Sequence, residues 1–313
     1  MKRHYIPGVR IAGVACAVPK GIEGPGKHER AAKMVGVEQR RFVAEGDSLL
    51  GLAVHASVRC MEIVDWAAAD ALIFVTQTAP RRMPSVSCEL HDALAFPPGT
   101  PAFDLNMACS GYVYGLWVAA SLRLRRVLLV VGDTISQFLD HGDASTYPIF
   151  GDAVSATALE QTGENFGIDF VGGTDGSGAE SLCITRRYHD QAEVLRMDGQ
   201  AVFNFALSTV PELVAETTLN GFCNWYLFHQ ANAMMIQHIA KKAGLDSARV
   251  PMNIAKYGNT SSASLPLLMC DSECTEALRT GKNVLALFGF GAGYSMGGIR
   301  TVTDRLPCSV VQV

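Results

Sequence analysis

The chain has 313 residues, of which 49% are hydrophobic and 18% charged, and its formal net charge is −4. That length can bury a large core, as one big domain or two packed halves. The lack of a basic excess or a dense Lys/Arg stripe argues against a nucleic-acid binder, and no run approaches the ~18–20 apolar residues of a membrane span. The first residues carry charge and no apolar signal core follows them, so a cytoplasmic protein is expected.

In chain order, strands are predicted over 9–15, 71–75, 126–131, 225–228 and 283–288, as short apolar β-rich runs. Helical patterns fall between them, over 49–67, 85–94, 110–124, 210–220, 233–243 and 264–279. This alternation predicts an α/β protein with helices covering sheets. The run Val127 to Val131 is wholly apolar, as in a strand buried on both faces. The 110–124 pattern is apolar nearly all round, which places that helix inside the protein. A polar, turn-prone stretch at 160–165 divides the chain into halves of 1–165 and 166–313, and glycine-rich 172–179 reads as a flexible loop.

The nine cysteines are odd in number, lack CxxC spacing and mostly sit in apolar runs. Reduced, buried thiols fit that pattern better than a disulfide framework. Cys270 and Cys274 are four apart on an expected helix, but no second ligand pair accompanies them, so no metal site is expected. The pairs Arg40 and Arg41, Arg81 and Arg82, and Lys241 and Lys242 read first as solvated surface.

Three segments carry candidate chemistry. Cys109 follows Phe-Asp-Leu-Asn-Met-Ala at a strand-to-helix junction and precedes Ser-Gly. A helix start offers free N–H groups and partial positive charge, which favour a thiolate. The competing reading is an inert core thiol. His229 ends the apolar run Trp-Tyr-Leu-Phe and precedes Gln-Ala-Asn, with a helix opening near Ala231. Strand ends are where an α/β sheet presents functional groups, although a satisfied structural histidine also fits. The stretch Gly-Asn-Thr-Ser at 258–261 reads alone as a turn leading into a helix near Ser264. Phe-Gly-Phe-Gly-Ala-Gly-Tyr at 288–294 either presents N–H groups to an oxyanion or makes a tight turn. It lacks nucleotide-loop spacing.

Taken in order, these motifs resemble the β-ketoacyl-acyl carrier protein synthase III family, a branch of the thiolase superfamily. The likeness is best over 101–116, 149–152, 228–245, 258–265 and 288–298. It implies a thiolase-like five-layer α/β/α/β/α sandwich of two similar halves, working as a dimer, with no metal and no tightly bound cofactor. It implies Cys109 as the acyl-carrying nucleophile, and His229 and Asn259 as the groups that bind the thioester carbonyl of malonyl-acyl carrier protein. It also implies an oxyanion hole from the backbone N–H groups of Cys109 and Ala292. Alanine stands at 292 where the family has glycine, and keeps the donor if its backbone conformation allows. The activity implied is decarboxylative Claisen condensation. An acyltransferase of the same fold acting on an alcohol or amine, and a non-catalytic subunit of a heterodimer, are the alternatives. A type III polyketide synthase shares the Cys, His and Asn, but the Gly289 to Gly293 loop lacks the proline usual there and the chain is short for that group.

Some features depart from the family. The N-terminal segment is shortened, no tryptophan stands where the family stacks one on the adenine of coenzyme A, and Ala144 occupies the place of the opposing arginine. These losses point to a primer delivered on acyl carrier protein, or as acyl-CoA bound in another way. Lys241 and Lys242 match basic carrier-docking positions, whereas two further basic positions read Asn204 and Met234. Met83 falls on a loop expected to cross a dimer interface and cap the partner's acyl pocket. Arg81 and Arg82 beside it suit either surface ion pairs or the terminal carboxylate of a dicarboxylic primer.

Overall fold

A computed structural model describes residues 1–163, 165–186 and 192–313. Two sheets form its frame. The first has six strands in the order Cys308–Gln312, Val9–Val18, Ala153–Gln161, Arg126–Asp133, Ala71–Val75 and Ala102–Leu105. The second has five, ordered Lys2–Pro7, Gly167–Thr174, Ser295–Asp304, Lys282–Gly291 and Trp225–Phe228. The chain passes from one sheet to the other between Gln161 and Gly167, where Glu164 lies outside the described residues. The first strand of the chain belongs to the second sheet and the last strand to the first.

Side-chain alternation along the buried strands builds five layers. Leu72, Phe74, Leu128 and Val130 pack outward on the Leu49–Ile63 and Val86–Ala93 helices. Ile73, Val75, Leu129 and Val131 face inward to Tyr112, Leu116, Leu265 and Leu268, from the Gly111–Ser121 and Ser264–Cys270 helices. Across those two central helices lie Leu285, Leu287 and Ile299 of the second sheet. Its outer face, with Ala286 and Phe288, packs on Phe205, Leu213, Ile236 and Ile239 from the Gly199–Thr218 and Ala233–Lys242 helices. The arrangement is the α/β/α/β/α sandwich of the thiolase fold.

Several expected elements differ in extent. The first helix ends at Ile63, short of 67, because Asp65 takes left-handed backbone at φ 55°. The 210–220 pattern is only the second half of Gly199–Thr218, whose start is capped by Asp198 accepting from the Ala201 N–H. Pro211 sits inside that helix. The 264–279 stretch is two helices, Ser264–Cys270 and Thr275–Thr280, broken where Ser272 and Thr275 form a side-chain turn. The expected loop at 172–179 begins as strand, since Gly167–Thr174 pairs with Ser295–Asp304, and only a short 3₁₀ turn, Gly176–Gly178, follows. The 172–173 glycines carry no side-chain period, which is why the strand is invisible in the hydrophobic pattern. Among the described residues, no helix is long and apolar enough to cross a membrane.

Candidate active site

Cys109 sits in a 3₁₀ turn, Ala108–Ser110, between the Ala102–Leu105 strand and the Gly111–Ser121 helix. The turn is held by the Ser110 hydroxyl, which donates to Met107 O at 2.8 Å and pairs with the Ser295 hydroxyl at 3.1 Å. Ala108 adopts φ 44°, a left-handed conformation costing a non-glycine residue on the order of 1 kcal/mol. The second sheet approaches this turn closely. A Cβ on Gly291 would lie 2.8 Å from Cys109 Cβ and 3.2 Å from its Sγ, so only glycine lets the hairpin come so near. That approach brings the Ala292 N–H to the Cys109 sulfur, alongside the N–H of Cys109 itself. The positive-φ positions in the hairpin are Gly291, Gly293 and Tyr294. Ala292 is not one of them, so its Cβ is tolerated and the backbone donor survives.

At Cys109 burial works against the thiolate that a helix start favours. Burial pushes the Cys109 thiol up to about 12, the nearby Asp133 carboxylate adds to this, and the Ser261 side chain and the two N–H groups only partly offset it. Asp133 ends its strand with Oδ1 accepting from Thr76 Oγ1 at 2.9 Å and the Gln77 N–H at 2.8 Å.

His229 directly follows the Trp225–Phe228 strand, and the next helix begins at Ala233 with Asn232 as its cap rather than near 231. The imidazole is 1% exposed. Its Nδ1 pairs with Ser264 Oγ at 2.7 Å, and the Phe290 ring meets it edge-on at 5.8 Å. Burial lowers its pKa to about 3, with the Ser261 carbonyl opposing the shift, so the ring is neutral at physiological pH.

Asn259 is set by backbone pairing to the Ile149 to Asp152 segment. Its N–H donates to Ile149 O at 2.9 Å, and its carbonyl accepts from the Gly151 N–H at 3.0 Å. Gly258 turns at φ 66°, and a Cβ there would sit 2.5 Å from Ile149 O. Asn259 Oδ1 accepts from the Ser261 N–H at 2.9 Å. With the amide oxygen so engaged, Nδ2 is the end left to donate.

Cys109, His229 and Asn259 line one cavity of about 240 Å³, together with Phe290, Met235 and Ala144. Ala144 thus stands on the wall of this cavity, where it offers no ring or charge. Cys109 also borders a second cavity, of about 600 Å³, whose walls include Ile135, Phe138, Leu182 and Leu195. The nucleophile candidate therefore lies between two chambers.

The sequence matches the 3-oxoacyl-[acyl-carrier-protein] synthase III family over residues 103–176 and that family's C-terminal region over 221–301. It is 35% identical over 299 residues to a putative 3-oxoacyl-[acyl-carrier-protein] synthase 3 of Campylobacter jejuni, covering 86% of this chain and 83% of the relative. It is 36% identical over 271 residues to a β-ketoacyl-[acyl-carrier-protein] synthase III of Rubrobacter xylanophilus, covering 82% and 84%. The crystal structure of a 3-oxoacyl-(acyl-carrier protein) synthase from Burkholderia xenovorans superposes with a TM-score of 0.94 at 36% identity, over 99% of each chain. That of a 3-oxoacyl-(acyl carrier protein) synthase III from Pseudomonas aeruginosa gives 0.85 at 28% identity, over 96% and 98%. The chain belongs to the β-ketoacyl-acyl carrier protein synthase III family.

In this synthase III chain the peripheral candidates spread over the surface. Arg81 and Arg82 border the larger cavity, and each makes an exposed ion pair, Arg81 with Glu89 at 3.3 Å and Arg82 with Glu193 at 3.4 Å. Met83 is 84% exposed and does not line that cavity. Lys241 and Lys242 end the Ala233–Lys242 helix, roughly 15 Å along its axis from the cavity-lining Asn232, and Lys242 Nζ donates to Leu207 O at 3.0 Å. Asn204 and Met234 lie on the two outer helices. Two residues of the site were not singled out as functional from the sequence: Ser264, which holds His229, and Ser261, which fixes Asn259. Both lie in the serine-rich Gly-Asn-Thr-Ser-Ser-Ala-Ser stretch, which is the signal that marks them.

Proposed function

We propose that the chain condenses an acyl group carried on Cys109 with malonyl-acyl carrier protein, releasing CO2 and giving a β-ketoacyl thioester. The single observation that carries this is the meeting of Cys109, a neutral His229 and an oriented Asn259 amide in one cavity. In the first half-reaction the Cys109 sulfur attacks the primer thioester, the acyl group moves to sulfur, and the thiol proton leaves with the departing thiol. The backbone N–H groups of Cys109 and Ala292 face the oxyanion of that step. In the second, the malonyl thioester oxygen lies between His229 and Asn259. Loss of CO2 leaves an enolate on that oxygen, stabilised by two neutral donors, and its carbon attacks acyl-Cys109.

Ser264 fits this role for His229. Its oxygen, 2.7 Å from Nδ1, suits the tautomer in which the hydroxyl donates and the ring hydrogen sits on Nε2, and it also takes the Gln230 N–H at 3.4 Å. The larger cavity is read as the acyl pocket. Its arginines suit a primer that ends in a carboxylate, although their ion pairs with Glu89 and Glu193 equally satisfy them. Met83 is read as the cap of a partner subunit's pocket in a homodimer. Primer delivery on acyl carrier protein is favoured by the bare Ala144 wall, with Lys241 and Lys242 as docking charges.

Measuring CO2 release from malonyl-acyl carrier protein with and without a panel of acyl thioesters tests the reading. Condensation predicts primer-dependent release with a β-ketoacyl product. Acyl transfer to an alcohol or amine with no CO2 released would replace it.

A further inference from the structure

Three cysteines that take no part in this chemistry converge in the core. Cys16 lies on the Val9–Val18 strand, Cys270 ends the Ser264–Cys270 helix and Cys308 opens the Cys308–Gln312 strand. Cys16 Sγ is 3.7 Å from Cys270 Sγ. Cys308 pairs in register with Val14, so by strand alternation it shares a face with Val14 and Cys16. Cys270 Sγ contacts Val14 O at 3.7 Å, and Cys308 Sγ contacts Met269 O, beside Cys270, at 3.6 Å. All three are free thiols.

Small buried thiols often serve only as core filling. Here the three differ in chemical character. Cys16 is fully buried and Cys270 nearly so, while Cys308 is somewhat more open, near the guanidinium of Arg279, which donates to its carbonyl at 2.8 Å. The neighbouring Cys270 thiol, and then Arg279, lower the Cys308 thiol against its burial. A sulfur lowered towards the thiolate, next to an inner pair of thiols in van der Waals contact at 3.7 Å, is an arrangement open to thiol–disulfide exchange.

We propose that Cys308, Cys270 and Cys16 form a reversible oxidation site in which Cys270 is the shared partner of every disulfide formed. A small peroxide oxidises the Cys308 thiolate to a sulfenic acid, with one peroxide oxygen transferred and hydroxide released. The Cys270 thiol attacks that sulfur, forming the Cys270–Cys308 disulfide and expelling water. Cys16 then attacks Cys270, leaving a Cys16–Cys270 disulfide and returning Cys308 to the thiol. Overall, two thiols and one hydrogen peroxide give one disulfide and two waters. The helix that Cys270 ends begins at Ser264, which holds His229, so the cross-link pulls on the element that orients the site. Nothing in this inference depends on which acyl group Cys109 carries.

The test is hydrogen peroxide treatment of the folded, full-length protein, followed by peptide mapping without reductant. The expected product is a Cys270-containing disulfide that dithiothreitol reverses. Cys308→Ser should slow its appearance at least fivefold. In Cys16→Ala, whose smaller side chain fits the same space, only Cys270–Cys308 should form. Peroxide should also lower CO2 release in a dithiothreitol-reversible way, and the Cys16→Ala/Cys308→Ala variant should escape most of that loss. Oxidation confined to Cys109 or Cys88, or disulfides that omit Cys270, would overturn the proposal. An equal activity loss in the double variant would overturn the link to the site. Failure of the condensation assay on untreated protein would sink the proposed function while leaving the disulfide map intact.

Discussion

If the proposed mechanism holds, replacing Asn259 should separate the two half-reactions. In Asn259→Asp, the side-chain oxygen that accepts the Ser261 N–H at 2.9 Å is kept, but the Nδ2 donor becomes a carboxylate beside the enolate oxygen. Removing one preorganised donor from an oxyanion site typically costs about 2.7–4 kcal/mol, or roughly 10²–10³ in rate. A buried negative charge opposes enolate formation further, so the decarboxylation rate should fall by at least ~10². Asn259→Ala should fall by a comparable factor. It also strands the Ser261 N–H, costing about 1–3 kcal/mol of stability. In the proposed mechanism acylation of Cys109 draws on the Cys109 and Ala292 N–H groups instead, so it should stay within about threefold in both variants. The assays are single-turnover acylation of Cys109 followed by mass spectrometry, CO2 release from malonyl-acyl carrier protein, and thermal melting. Decarboxylation within threefold of the parent in Asn259→Asp would refute the donor role. Equal loss of both half-reactions in a variant that still melts normally would refute the division of labour.

Burial of neutral His229 costs stability in acid. Its folded pKa is about 3 against 6.5 when unfolded, so its contribution is complete above pH 6.5 and is lost as the pH falls towards 3. At pH 5 the loss is about 2 kcal/mol from this group alone. Denaturant melts at pH 7 and 5 should show that difference shrink in His229→Gln, and an unchanged difference would contradict it. Because burial pushes the Cys109 thiol up to about 12 while Cys88 is exposed, iodoacetamide at pH 7.5 should label Cys88 well before Cys109 in the free protein. Faster labelling at Cys109, followed by peptide mass spectrometry, would show that the thiolate is stabilised despite its burial. Ala292→Gly keeps the backbone donor and should leave acylation within threefold, whereas Gly291→Ala forces a Cβ to 2.8 Å from Cys109 Cβ and should slow it at least tenfold. Arg81→Ala/Arg82→Ala removes two exposed ion pairs and should change stability by less than about 1 kcal/mol. An unaltered preference between mono- and dicarboxylic primers in that variant would assign these arginines to the surface alone.

The parts of the site that were legible in the sequence are those where a chain feature and a chemical group coincide. An apolar strand ending directly in a reactive residue marks His229, and a cysteine between a strand and an apolar helix marks Cys109. Asn259 was legible only through its motif, since its orientation depends on backbone pairing with residues about 110 positions earlier, which no local pattern encodes. For Cys109 the local signal and the tertiary environment act in opposite directions. Proximity to a helix start is local and visible, but complete burial and the Asp133 charge are products of the two sheets closing on each other. The edge strands Lys2–Pro7 and Cys308–Gln312 escaped notice for a related reason, each being short and only partly buried. Yet the latter brings Cys308 against Met269, next to Cys270, so a segment with a weak pattern completes a cluster of core thiols. Local periodicity reports what one element buries. What a buried group titrates at, and which thiol it meets, is decided by the partner element, and in a five-layer sandwich that partner is usually far away in sequence.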